Sequence, residues 1–332
     1  MSTIQKKLLA FVGLLLTATL IIGIIWPFYE HYQIKQYPKV ILSEDTSAEN
    51  SLSTTFVEKN SGKSSLEDSA KPTETLKMGM ASITAGRESL YYYEDLLKHL
   101  ENQVGMPVEI HQTRTHSEMN ELLRQGNIDV AFVCSYSYVL LKDEYDVPMI
   151  AAPQINGSNN YRSVIIAREE LNINSFYELE GKTFAFTDPL SNAGKLYPLY
   201  LLEQRNSSPE DFFEHSYFTY SHDNSIDSVV EGVVDAAAVD SLVFDYLYTQ
   251  NPEKFKQVEL IHTSPTFGIP PIVASPQLDN HLKVDIKDFF LELDETSEGR
   301  HILDQLGINQ FVTLDNEAYD SIRDMAEVVG HD

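Results

Sequence analysis

The chain has 332 residues, 42% of them apolar, which is enough for a buried core and leaves room for two lobes of ordinary size. A formal net charge of −26 excludes nucleic acid as a partner, because phosphate backbones are bound through Lys and Arg; a small anion stays open, since a buried site answers to local donors. The single cysteine, Cys134, excludes an intrachain disulfide and a multi-cysteine zinc site.

Taken in chain order, the first feature is residues 8–28, an uncharged run dominated by Leu, Ile, Phe, Val and Ala. A helix needs about 20 such residues to cross the hydrocarbon core. Lys6 and Lys7 precede it, so the positive-inside bias places residues 1–7 in the cytoplasm and the rest of the chain outside. Trp26, Phe28, Tyr29 and Tyr32 cluster where an interfacial aromatic belt sits. A cleaved signal peptide has a shorter apolar core and ends in small residues, whereas this run ends Ile24-Ile25-Trp26-Pro27-Phe28. The expectation is therefore a transmembrane anchor, an uncleaved signal. Residues 29–75 follow as an extracytoplasmic linker, which from about residue 43 is too polar to offset chain entropy and reads as flexible.

From Leu76 the pattern alternates strand and helix. Strands are predicted over 76–81, 107–111 and 129–133, and helices over 88–103 and 117–125, the latter stopping at Gly126. Within 129–133 every residue after Asp129 is apolar, the mark of a strand buried on both faces. The rhythm restarts with strands over 163–168, 183–187, 217–220 and 236–239 and helices over 193–204 and 225–231. Helices over 283–293, 298–306 and 317–329 close the chain. The fold class is α/β, with mostly parallel or mixed sheets flanked by helices. The second unit is inserted in the first: 76–162 and 265–332 form lobe one, 163–264 lobe two. Ligands in such folds bind at the carboxyl ends of strands and at lobe junctions.

Three segments carry candidate chemistry. Thr187-Asp188-Pro189-Leu190-Ser191-Asn192-Ala193-Gly194-Lys195 leaves a strand and opens a helix. Free N–H groups at a helix start form an anion site, although an ordinary capped turn uses the same residues. Ser135-Tyr136-Ser137-Tyr138 follows the buried strand, with its hydroxyls either facing a cleft or packed on the core. Ser221-His222-Asp223-Asn224 offers a histidine that donates to an anion or simply caps a helix. There is no G-x-S-x-G elbow, no Walker loop and no H-E-x-x-H, so no enzyme and no cofactor is expected. A hydrolase triad of Cys134, His222 and Asp240 has no local support for an activated thiol.

In order and spacing these segments resemble the phosphate/phosphite/phosphonate-binding family of ABC-transporter periplasmic proteins, which have the type II two-lobe binding fold. The resemblance runs from Leu76 to Ile322. It is carried by 93–100 with Gly105-Met106-Pro107-Val108-Glu109, by Asp129-Val130-Ala131-Phe132 leading to Ser137-Tyr138-Val139, and by Asp188-Pro189-x-Ser191-x-x-Gly194. His222-Asp223-Asn224 with 234–240, Phe267-Gly268-Ile269-Pro270-Pro271 and Glu298-Gly299-Arg300-x-Ile302-Leu303 complete it. It implies that an oxyanion is held at the helix start by Ser191, Asn192 and the Ala193 N–H, with Tyr93, Tyr138 and His222 completing the shell; Ser135 is a further hydroxyl candidate. The family often has a run of hydroxyl residues where this chain has Ser191-Asn192-Ala193.

The expected function is reversible capture of phosphonate, phosphite or phosphate outside the cytoplasm for an ABC permease. The lobes would hinge near residues 160–163 and 264–271. The alternative is a membrane-anchored sensor of the same fold acting through a signalling protein. A monomer is expected, attached to the membrane by its N-terminal helix.

Overall fold

The computed structural model describes residues 41–42, 75–81 and 88–330. The predicted anchor at 8–28 and most of the predicted linker lie outside the described residues. Among the described residues, no helix is long and apolar enough to cross a membrane.

Two sheets organise the chain from Leu76 onward. The first is built from β1 (Leu76–Ala81), β2 (Val108–Thr113), β3 (Val130–Phe132) and β4 (Met149–Gln154), with α1 (Glu88–Val104), α2 (His116–Gln125) and α3 (Ser135–Tyr145) between them. The chain then passes through a two-residue strand, β5 (Asn160–Tyr161), into the second sheet. There it forms β6 (Ser163–Arg168), β7 (Thr183–Phe186), α4 (Tyr197–Glu203), α5 (Pro209–Phe212), β8 (His215–Phe218), α6 (His222–Val230), β9 (Ala236–Asp240), α7 (Ser241–Gln250) and β10 (Val258–Thr263). It returns through β11 (Phe267–Gly268), antiparallel to β5, and re-enters the first sheet as β12 (Ile272–Ala274). The helices α8 (Asn280–Glu292) and α9 (Ser297–Leu306), the strand β13 (Gln310–Val312) and the helix α10 (Asp320–Val329) finish the chain.

Strand order is β2-β1-β3-β12-β4-β13 in the first sheet and β10-β6-β9-β7-β8 in the second. Both are mixed rather than mostly parallel. In the first, β1 runs parallel to β2 and β3, but the returning β12 is antiparallel to β3 and β4, and β13 is antiparallel to β4. In the second, β7 is parallel to β8 and β9, while β6, entering from the other sheet, is antiparallel to β9 and β10. Strands that cross between sheets enter against the grain, and the βα rhythm does not show this.

The core follows from period-2 alternation in strands covered on both faces. Along β6, Ile165 and Ala167 join one apolar cluster with Phe176, Phe184, Phe186 and Phe213, while Val164 and Ile166 join another with Ile226, Val229, Val239 and Phe255. Fully burying a side chain of that size contributes roughly 1.5–3 kcal/mol.

Three element boundaries differ from the pattern, each for a local reason. Ser221 caps α6 by accepting the Asn224 N–H, so that helix begins at His222 rather than 225. The strand predicted over 217–220 ends at Phe218, because the chain turns out of the sheet with Tyr220 at φ +62°. The helix predicted over 193–204 divides into a π-helical turn, Asn192–Leu196, and α4. Pro198 has no N–H for the Gly194 carbonyl; that carbonyl instead accepts the N–H of Thr187 at 3.2 Å.

Candidate functional site

The carboxyl ends of five parallel strands feed one buried polar cluster. His116 follows β2, Cys134 and Ser135 follow β3, Asp188 to Asn192 follow β7, His222 follows β8, and Asp240 ends β9. All of these are buried except Cys134, Pro189 and Leu190, which are half-buried. This is where open α/β sheets bind ligands.

The turn after β7 is held from within. Asp188 accepts the Leu190 N–H at 2.8 Å through one carboxylate oxygen and the His116 N–H at 3.2 Å through the other. Ser191 accepts the Gly194 N–H at 3.0 Å. Gly194 is obligatory, because a Cβ there would lie 2.3 Å from Thr187 Oγ1 and 2.4 Å from its Cβ. Asn192 bonds twice to residues outside the second sheet. Its N–H donates to Cys134 Sγ at 3.4 Å, and its Nδ2 donates to the Tyr161 hydroxyl at 2.9 Å. Ser135, whose side chain is near that hydroxyl, donates to the Gly268 carbonyl at 2.7 Å. The Ala193 carbonyl accepts from Ser163 Oγ at 2.7 Å, and Ser163 lies opposite Asp240 in the β6–β9 register.

Burial sets the charge states. His222 Nδ1 accepts the Asp240 N–H at 3.1 Å, which assigns its proton to Nε2 as a donor. Burial, with His116 nearby, pushes the His222 pKa down to about 3, so the ring is neutral. His116 is also pushed down by burial, against the pull of Asp188. Burial lifts Asp240 to about 7, even though its carboxylate accepts the Leu242 and Val243 N–H groups at the start of α7. The Cys134 thiol rises to about 11, which leaves it protonated and a poor nucleophile. Among the described residues, no group of three or more His, Cys, Asp or Glu is arranged to hold a metal ion.

Three buried atoms in this region have no hydrogen-bond partner: His116 Nδ1, Asn192 Oδ1 and Ser137 Oγ. An unpaired buried polar group costs about 1–3 kcal/mol, so such atoms call for a ligand or a bound water.

The sequence-predicted residues divide into two groups. Ser135, Ser191, Asn192, Ala193 and His222 belong to the cluster. Tyr138 does not: its hydroxyl donates to Asn316 Oδ1 at 3.2 Å and its ring lies 4.7 Å from Tyr319, in the core under α10. Tyr93 packs edge-on against Phe132 at the end of β3, and burial pushes its hydroxyl up to about 12. Sequence reasoning missed His116 and Tyr161. His116 had a usable signal, the strand end and cap at Thr115 that open α2; Tyr161, in a two-residue crossover strand, had none. A groove of about 400 Å³ opens beside the turn, between Tyr136, Pro189, Lys195 and Phe218, and no predicted site residue lines it.

The family model for the periplasmic substrate-binding protein of phosphonate ABC transporters matches residues 78–319. The phosphonates-binding periplasmic protein of Escherichia coli (strain K12) is 26% identical over 239 residues, 70% of each chain. A phosphate-import protein of Mycolicibacterium smegmatis is 27% identical over 296 residues, 80% of this chain and 92% of its own. Among solved structures, a binding-protein component of an ABC phosphonate transporter from Pseudomonas aeruginosa superposes with a TM-score of 0.72 at 23% identity, covering 77% of this chain and 87% of its own. PhnD1 of Prochlorococcus marinus, in complex with methylphosphonate, gives 0.69 at 22% identity, covering 77% and 98%. These two likenesses establish the α/β periplasmic-binding-protein fold.

Proposed function

The chain belongs to the family of periplasmic substrate-binding proteins of phosphonate ABC transporters, and from that premise we propose that it captures a small phosphorus oxyanion outside the cytoplasm and delivers it to an ABC permease. Phosphonate, phosphite and phosphate are the candidate ligands, in keeping with the names of its relatives. The observation that carries this reading is the buried cluster fed by both sheets, with His116 Nδ1 left unpartnered inside it. In this reading Ser191, Asn192, the Ala193 N–H and His222 Nε2 hold the anion, and Ser135 supports Asn192 through Tyr161. Tyr93 closes the site from α1. Tyr138 takes part only if its hydroxyl leaves Asn316.

The proposed lobes are 76–162 with 265–332, and 163–264, hinged where β5 pairs with β11. This division is supported by sheet membership, since every strand from Ser163 to Thr263 lies in the second sheet. Residues 8–28 are proposed as a membrane anchor on their length and lack of charge. N-terminal sequencing of the mature protein checks the anchor, and a start beyond Phe28 refutes it. Binding is checked by calorimetry with phosphate, phosphite and methylphosphonate. Saturable heat with at least one is expected, and no heat with any at millimolar concentration sinks the ligand class.

A further inference from the structure

His116 and His222 begin helices that follow strands of different sheets, and both abut the start of the turn after β7: the His116 N–H donates to Asp188 at 3.2 Å, and His222 Nδ1 lies 3.3 Å from Thr187 Oγ1. They are 5% and 6% exposed, and charge on one opposes charge on the other. Nδ1 of His116 has no partner, whereas Nδ1 of His222 is held by the Asp240 N–H. The other groups around them are known from each packed element. Thr187 faces His222 with its hydroxyl, which Ser225 in turn contacts, and Asp188 faces His116 from the turn after β7. Asp240 lies beyond His222 with Asp245 behind it, while Cys134 and Tyr161 are kept protonated by burial. The charged groups among these neighbours are all carboxylates. A doubly charged oxyanion entering such a site meets neutral rings and negative charge, and burying it uncompensated is costly.

We propose that His116 is a specificity-determining residue which, paired with His222, takes up a proton as a doubly charged oxyanion enters. The inference rests on the oxyanion reading above and adds to it a proton balance. The proton comes from solvent and resides on an imidazole that bonds the anion, so no bond in the ligand is broken. The site then favours ligands with two negative charges, because only these repay the protonation of a buried ring.

The test is calorimetry of the full chain with methylphosphonate in several buffers of different ionisation enthalpy, at a pH above the ligand's second ionisation. Uptake of about one proton per ligand is expected, read from the slope of heat against buffer enthalpy. His116→Asn should reduce the uptake, while Asp240→Asn, which retains the cap oxygen of α7, should leave it intact. The wild-type series stands without either variant. Heat that is the same in every buffer overturns the proposal and spares the oxyanion reading. Uptake kept in His116→Asn and lost in Asp240→Asn also overturns it. No heat with methylphosphonate, phosphite or phosphate overturns both readings.

Discussion

Two turns in this molecule leave a buried strand and open a helix, and they are built differently. The turn after β7 closes on itself: Ser191 caps Gly194, Gly194 accepts from Thr187, and Asp188 caps Leu190. The turn after β3 has no such closure. Cys134 occupies the N-cap of α3 but makes no side-chain cap bond, and its sulfur accepts the N–H of Asn192 from the other turn. Ser135 donates across to Gly268, and Ser137, in the first turn of α3, has an unpartnered hydroxyl. The β7 helix start also bonds outward, through Asp188, Asn192 and Ala193, but its cap is made by its own residues and does not depend on those bonds. A helix start whose bonds run only outward is completed by what comes to meet it. The β7 turn is thus the rigid half of the candidate site and the β3 turn the receptive half.

The largest effect that can break this contrast is acid sensitivity on the rigid side. An unfolded His222 gains its proton below about pH 6.5, whereas the folded ring resists until about 3, so its contribution to stability is complete above 6.5 and is lost as the pH falls between these values. The loss is on the order of 3–5 kcal/mol across the window. His222→Asn keeps an acceptor for the Asp240 N–H and removes the titration, so its melting temperature should fall less steeply with acid. An unchanged acid limb counts against the buried neutral ring.

Gly194→Ala should cost about 2–3 kcal/mol by forcing Thr187 aside, seen as a lowered denaturant midpoint. A neutral outcome means that the β7 turn is looser than described. Ser191→Ala should remove the cap and about 1 kcal/mol. On the receptive side, Cys134→Ser should change stability by less than about 1 kcal/mol, because serine still offers Asn192 an acceptor. Native Cys134 should label slowly with iodoacetamide at neutral pH, since its thiol is held up at about 11. Rapid labelling would revive a nucleophilic role.

The helix and strand alternation was legible in the sequence because 76–81, 163–168 and 236–239 are apolar runs bounded by turns, and the structure places strands at Leu76–Ala81, Ser163–Arg168 and Ala236–Asp240. Strand direction was not legible, since periodicity is the same read either way; β6 and β12 run antiparallel to neighbours because of where the chain crosses. The β7 turn could be found from Asp188, Ser191 and Gly194 because local capping leaves local residue choices. Tyr138 could not be assigned from position alone: its hydroxyl meets Asn316, 178 residues away, rather than the cleft. His116 and Tyr161 owe their place to contacts between distant segments, with Asp188 lying 72 residues beyond His116.

That an oxyanion is held at the β7 turn, against His222 and His116, is tested most directly by a crystal structure of the protein grown with methylphosphonate. Phosphonate oxygens are expected within hydrogen-bonding distance of Ser191, Asn192, the Ala193 N–H, His222 Nε2 and His116 Nδ1, with the Ser191 cap intact. Methylphosphonate seated instead in the groove beside Lys195 and Phe218, with the cluster around Asn192 unaltered, would contradict it.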